Sequence, residues 1–107
     1  MVNEIIQKIL SGDCDNPDVL SKDLLILSAN QYSVGQDITK WEIAYSKKWN
    51  EERTKFKTDK ACDMALKQTE EYQKWEQAKN AYRMMKEVIM AGKKRLAVLS
   101  DEGKSMY

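Results

Sequence analysis

The sequence predicts an all-α protein: a long antiparallel helical hairpin of the coiled-coil type, with a short N-terminal helix packed at its open end. Two observations predict this fold. Apolar residues recur at alternating spacings of three and four over two long stretches, as in helices that each bury one face. The single proline, Pro17, lies at the start of the first stretch, so no proline interrupts the residues that follow it.

The first predicted element is a short amphipathic helix over residues 3–11. Four apolar residues between Ile5 and Leu10 fall at helical spacing, and Gly12 follows where a glycine commonly ends a helix. We expect this helix to cover a second apolar stripe near the open end of the hairpin, because contact between two helices covers only one stripe each. That second stripe consists of Val19, Leu25, Ile26 and Ala29 with Ala81, Met84, Val88, Ala91 and Val98.

The first arm of the hairpin is predicted over residues 17–57. Asn16 is a favourable N-cap, and proline is favoured at the first helical position. Gly35 is the one weak point, where we expect a continuous or kinked helix, with a true break as the alternative. The stripe of this arm is Leu20, Leu24, Leu27, Gln31, Val34, Ile38, Trp41 and Tyr45.

The second arm is predicted over residues 59–100, with Thr58 or Asp59 as its N-cap. Residues 1–107 are predicted to form a single helical domain. One antiparallel register aligns both stripes, and this agreement supports the hairpin. The predicted facing pairs are Leu20–Leu96, Leu24–Gly92, Leu27–Ile89, Gln31–Met85, Val34–Tyr82, Trp41–Trp75 and Tyr45–Tyr72.

The composition argues against an enzyme. There is no histidine, so a Ser-His-Asp triad, a Cys-His pair and a His-ligated zinc site are excluded. Cys14 and Cys62 stand apart without ligand spacing and are expected to be free thiols. We therefore expect no catalytic residue, metal, cofactor or small-molecule substrate. The longest apolar run is four residues, so we expect a cytoplasmic protein without a membrane span or membrane contact.

Charge is distributed unevenly, although 18 basic and 17 acidic residues nearly balance. Residues 1–37 carry two lysines and six acidic residues, a net charge of −4, and residues 38–107 carry a net charge of +5. At the open end, we expect the acidic residues to neutralise nearby basic ones. These are Asp13, Asp15, Asp18 and Asp23 on one side and Lys93, Lys94 and Arg95 on the other.

The turn between the arms is predicted to be basic, with Trp49 and Phe56 interleaved. Such a tip could contact phosphates and stack on unpaired bases, and the alternative is a solvated helix end in which acidic residues pair with the basic ones. The basic tip comprises Lys47, Lys48, Arg53, Lys55, Lys57 and Lys60. With Trp49 it is the predicted nucleic-acid-binding site.

Aromatic residues and one glutamine on the stripes are candidates for a partner or oligomer interface, although core packing explains most of the aromatics. Gln31 could set register or oligomeric state, and Trp49, one place off the stripe, is the best candidate for an exposed anchor. The predicted interface residues are Gln31, Trp41, Tyr45, Trp49, Tyr72 and Trp75.

The sequence resembles the small helical accessory proteins that bacteriophages and prophages encode, often among their replication and recombination genes. The resemblance covers most of the chain. It lies in Leu24 to Ser28, Glu42 with Tyr45, Lys60-Ala61 with Ala65, Glu71-Tyr72, and Lys93-Lys94-Arg95-Leu96. It implies an accessory role in a bacterial host cell and assigns no catalytic or binding residue.

Together, these features predict a non-enzymatic helical protein that acts by protein–protein interaction or assembly, as a homo-oligomer or with another protein. One alternative is a nucleic-acid-binding accessory factor in phage replication or recombination that uses the basic tip. Another is an inhibitor of a host defence protein, which the same surface would serve.

Overall fold

The computed structural model describes the backbone of residues 1–105 and the side chains of residues 1–101. The described residues form helices without a strand, and the predicted all-α hairpin with a short N-terminal helix is confirmed. The elements are α1 (Val2–Ser11), α2 (Pro17–Glu52), a 3-10 turn (Arg53–Lys55), α3 (Asp59–Leu66) and α4 (Glu70–Ser105). Helix α2 packs along α4, and α1 packs with them.

Helix α1 ends at a left-handed glycine, as predicted. Gly12 has a φ of 77° and a ψ of 15°, a conformation that glycine adopts without the steric cost of a Cβ. Its N–H donates to the carbonyl of Ile9, and the N–H of Asp13 donates to the carbonyl of Lys8. These two bonds satisfy carbonyl groups that the helix end would otherwise leave unpaired.

Helix α2 starts at the predicted cap but ends earlier than residue 57. The side-chain oxygen of Asn16 accepts from the N–H of Asp18 at 2.9 Å and from that of Val19 at 3.4 Å. The helix passes through Gly35 without interruption and ends at Glu52. A 3-10 turn then leads to an extended residue, Phe56 (φ −120°, ψ 150°), which is incompatible with a continuing helix.

The predicted second arm is two helices rather than one. Thr58 caps α3 as predicted, its hydroxyl accepting from the N–H of Ala61 at 3.1 Å. The chain then turns at residues 67–69, which separates α3 from α4. Thr69 stabilises this turn, because its hydroxyl donates to the carbonyl of Leu66 at 2.6 Å and accepts from the N–H of Tyr72 at 3.3 Å. The continuous helix predicted over 59–100 is therefore wrong at this point.

The chain divides into two compact units. Unit 1 contains Met1–Tyr32 and the described residues from Arg83 onward, and unit 2 is Ser33–Tyr82. The core of unit 1 draws on α1, α2 and α4. Its buried residues are Ile5, Ile9, Cys14, Leu20, Leu24, Leu27, Met85, Val88 and Ile89.

The core of unit 2 is smaller and partly aromatic. Cys62 and Leu66 of α3 are buried. The ring centroids of Tyr45 and Tyr72 lie 5.4 Å apart, which confirms that predicted pair. Tyr45 also stacks on Trp75 at 5.5 Å, and Tyr72 meets Trp75 edge-on at 6.1 Å. These offset and edge-on arrangements are the ones that aromatic rings favour.

Candidate functional site

Three of the six basic residues of the predicted tip form ion pairs within unit 2. Lys48 Nζ lies 3.4 Å from Glu71 Oε2. The Arg53 guanidinium contacts Asp59, and Lys55 Nζ lies 2.8 Å from Glu52. Each pair places a carboxylate where a phosphate would have to bind. Ligand binding through these three side chains would therefore require breaking an existing contact.

Arg53 has a structural role in the turn between α2 and α3. Its Nε donates to Asp59, and its Nη1 donates to the carbonyl of Phe56 at 2.8 Å. The guanidinium thus joins the 3-10 turn, the extended residue after it and the first turn of α3. Such use of several donors at fixed angles is characteristic of arginine. Phe56 itself is half-buried, which limits its availability for stacking on a base.

The other three basic residues of the tip are exposed and form no ion pair with the described side chains. Lys47 lies on α2, Lys57 in the bend before α3, and Lys60 in the first turn of α3. Unit 2 carries ten basic and nine acidic residues, so its net charge is only +1.

Trp49 is not the exposed anchor that the sequence predicted. Its ring is half-buried, and its Nε1–H donates to Asp63 Oδ1 at 2.6 Å. This bond attaches α2 to α3. Trp49 also lines a shallow depression of about 340 Å³ with Tyr45, Ser46, Asn50 and Asp63.

The remaining predicted interface residues are largely engaged in packing. Tyr45, Tyr72 and Trp75 contact one another, and Lys79 Nζ lies 4.0 Å above the centre of the Trp75 ring. Trp41 is half-buried. The last of the six, Gln31, is half-buried in unit 1.

Two groups in unit 2 ionise less readily than usual. Burial raises the pKa of the Cys62 thiol, and the neighbouring Arg53 acts in the opposite direction. Burial also raises the pKa of the Tyr45 phenol, with a smaller contribution from the negative charge of Asp63. Both shifts favour the neutral form, so neither group is activated as a nucleophile.

The predicted neutralisation at the open end is confirmed for one basic residue. Arg95 Nη2 lies 3.2 Å from Asp15 Oδ1, and Arg95 Nε donates to the carbonyl of Cys14 at 3.1 Å. Asp23, by contrast, pairs with Lys8 of α1 at 3.2 Å. The sequence did not predict this second pair, because the register between α1 and α2 leaves no periodic signal.

Helix α1 covers the second apolar stripe only in part. Val88 is buried and Ile26 is partly buried against the core of unit 1. Leu25 is 72% exposed and Met84 is 62% exposed. The predicted packing of α1 with α2 and α4 is confirmed, and apolar side chains of the stripe remain at the surface of this unit.

An open depression lies along α2. Its volume is about 640 Å³, and all of its lining residues belong to one helix, so it is a surface feature rather than an enclosed cavity. It is lined by Glu42, Ile43, Ser46, Lys47, Asn50 and Glu51. Within residues 1–101, no three Cys, Asp or Glu side chains are arranged to hold a metal ion.

Among the described helices, none has the length and apolar character required to cross a membrane. Comparisons with protein-family models, curated proteins and solved structures give no match. The functional interpretation therefore depends on the residues and contacts described above.

Proposed function

We propose that the protein is a non-enzymatic helical assembly protein that associates with a second copy of itself through the outer face of α2 in unit 1. One observation carries this proposal: Leu25 and Tyr32 are 72% and 71% exposed on that face. Large apolar side chains grouped at the surface of a soluble domain are typical of protein-binding sites.

The spacing along α2 supports a helix-packing surface. Leu25 and Tyr32 are seven residues apart, so they lie on the same side of the helix about two turns from each other. The small residues Ser28 and Ala29 lie between them. A large side chain of a facing helix would fit over those small residues, as knobs fit into holes in coiled coils.

An accessory role in a bacteriophage or prophage is part of the same proposal. It is supported by the resemblance of the sequence to small helical phage proteins. Such a role requires no catalytic group, and an assembly surface is sufficient for it.

Light scattering coupled to size-exclusion chromatography tests the association. The expected result at micromolar concentration is a mass above that of one 12.4 kDa chain. Leu25→Lys should lower the mass toward that of one chain, because it places a charge in the apolar interface. The matched control is Ile43→Lys, which changes a 64% exposed residue of α2 in unit 2 and should leave the mass unchanged. A strictly monomeric wild-type protein would refute the proposal.

A further inference from the structure

Four basic residues on α4 of unit 1 are exposed and have no carboxylate partner. They are Arg83, Lys86, Lys93 and Lys94, which together we call the α4 stripe. None of them takes part in an ion pair with the described side chains. The contrast with the basic tip is clear, since three of the six tip residues are paired.

The α4 stripe occupies one side of the helix. With a rotation of about 100° per residue, all four side chains fall within about 60° of Met90 on the helix circumference. Met90 is 50% exposed, whereas Met85 and Val88, about 140° and 160° away around the helix, are buried. The stripe therefore points away from the core of unit 1.

The charge of this face is strongly positive. Between residues 83 and 97, the only acidic residue is Glu87, so the segment carries five positive charges against one negative, and four of the five belong to the stripe. The nearest paired arginine, Arg95, lies on another side of α4 and contacts Asp15. On the stripe's own side of the helix, the four positive charges face one negative charge in this segment, that of Glu87.

The length of the stripe suits a regular array of anions. From Arg83 to Lys94 the helix rises about 16 Å. One strand of a DNA duplex presents a phosphate about every 3.4 Å along the duplex axis, so about five phosphates fall within that length. Four cationic side chains on flexible stems are a suitable set of partners for such a row.

We propose that the α4 stripe binds the phosphate backbone of nucleic acid without reading its sequence. The lysine and arginine groups would donate charge-assisted hydrogen bonds to phosphate oxygens and displace counterions. An anionic membrane surface fits less well, because Met90 is the one large apolar side chain on this face and is only half exposed. An acidic protein would have to supply a matching row of carboxylates, whereas nucleic acid carries its anions at regular spacing.

Fluorescence anisotropy with a short labelled DNA duplex, titrated with the full chain over a salt series, tests this proposal. With up to four phosphates neutralised, log K should fall with log salt with a slope of about −3 to −4. Lys93→Ala combined with Lys94→Ala should make the slope shallower by about 2 and weaken low-salt binding by about tenfold or more. The variant Lys93→Arg with Lys94→Arg should retain the wild-type slope.

The matched control is Lys57→Ala combined with Lys60→Ala, which removes the same charge from exposed, unpaired residues of the tip. We expect its slope to equal that of the wild type. The proposal is overturned if the wild type shows no salt-dependent binding at low ionic strength, or if the control loses as much affinity as the stripe variant. It is also overturned if vesicles of anionic lipid or an acidic peptide bind through the stripe while DNA does not. Circular dichroism of each variant checks that the helices are retained.

Discussion

The side chain of Leu24 packs against the backbone of Gly92 in the core of unit 1. A Cβ atom on Gly92 would lie 2.6 Å from Leu24 Cδ2 and 3.3 Å from Ile9 Cδ1, so a larger residue here would force the side chain of Leu24 to shift. Gly35 has a different environment in unit 2, where an added Cβ would meet the Tyr82 ring at an ordinary 3.5 Å.

These two glycines should respond oppositely to alanine. Gly92→Ala is expected to lower the free energy of unfolding by about 1–3 kcal/mol, because overpacking a buried contact outweighs the gain in helix propensity. Gly35→Ala is expected to raise it by about 0.5–1 kcal/mol, since the helix interior gains propensity without a clash. Urea denaturation measures both. Equal effects of the two substitutions would contradict the close approach at Gly92.

The Lys8–Asp23 pair should hold α1 against α2. Asp23 is 9% exposed, so removing its partner leaves a carboxylate largely withdrawn from water. Lys8→Met is expected to destabilise the protein by about 1–2 kcal/mol and to speed amide exchange in α1. Adding Asp23→Leu to this variant should restore most of the stability, because two apolar groups can replace a buried pair.

The control for this pair is Lys22→Met, which changes an exposed lysine of α2 that forms no ion pair with the side chains of residues 1–101. Its free energy of unfolding should lie within about 0.5 kcal/mol of the wild type. A loss as large as that of Lys8→Met would show that the effect does not come from Asp23.

Thr58 should stabilise the start of α3 through its cap. Thr58→Ala removes the acceptor of the Ala61 N–H and is expected to cost about 1 kcal/mol. Thr54→Ala is the control, since Thr54 is exposed and makes no hydrogen bond through its side chain among the described residues. Urea denaturation compares the two. A cost for Thr54→Ala equal to that for Thr58→Ala would argue against the cap.

Stability should decrease at alkaline pH. The pKa of Cys62 is raised above its ordinary value of 9.0 by burial, so the folded state retains a proton that the unfolded state releases. The unfolding free energy should therefore be insensitive to this group below pH 9 and fall as the pH rises above it. Tyr45 adds the same trend above its ordinary value of 10.0.

Urea midpoints measured across this alkaline range test the trend. Cys62→Ala should flatten the decrease, even though the substitution itself lowers stability by leaving space in the core. Cys14→Ala removes the buried thiol of unit 1, and its loss of stability can be compared with that of Cys62→Ala. If Cys62→Ala leaves the pH dependence unchanged, ionisation of Cys62 does not contribute.

Periodicity was sufficient to predict the helical hairpin and parts of its register. Leu24 faces Gly92 and Tyr45 meets Tyr72 as expected, because two regular apolar stripes can be matched in few ways. Local chemistry was also informative: Asn16 and Thr58 cap their helices, and Gly12 adopts the left-handed conformation. Each of these features depends on residues that are close in sequence or on a repeated pattern.

The candidate site was harder to predict, because it depends on individual side-chain partners. Trp49 bonds to Asp63 and Lys48 pairs with Glu71, and neither distance follows from the spacing of apolar residues. The exposed position of Leu25 depends on how α1 packs in three dimensions. The break before Thr69 carries no proline or glycine, and the apolar pattern continues through it, so the sequence predicted an unbroken helix there.

The turn held by Thr69 makes this part of the chain tolerant of changes in length. Within a continuous helix, inserting or deleting one residue rotates everything beyond it by about 100° and moves the apolar face away from its partner. At residues 67–69 the helix is already interrupted by a turn, so an added residue can be accommodated there while α4 keeps its orientation. Natural variants of this protein whose second arm is longer or shorter should carry the added or missing residues at this turn.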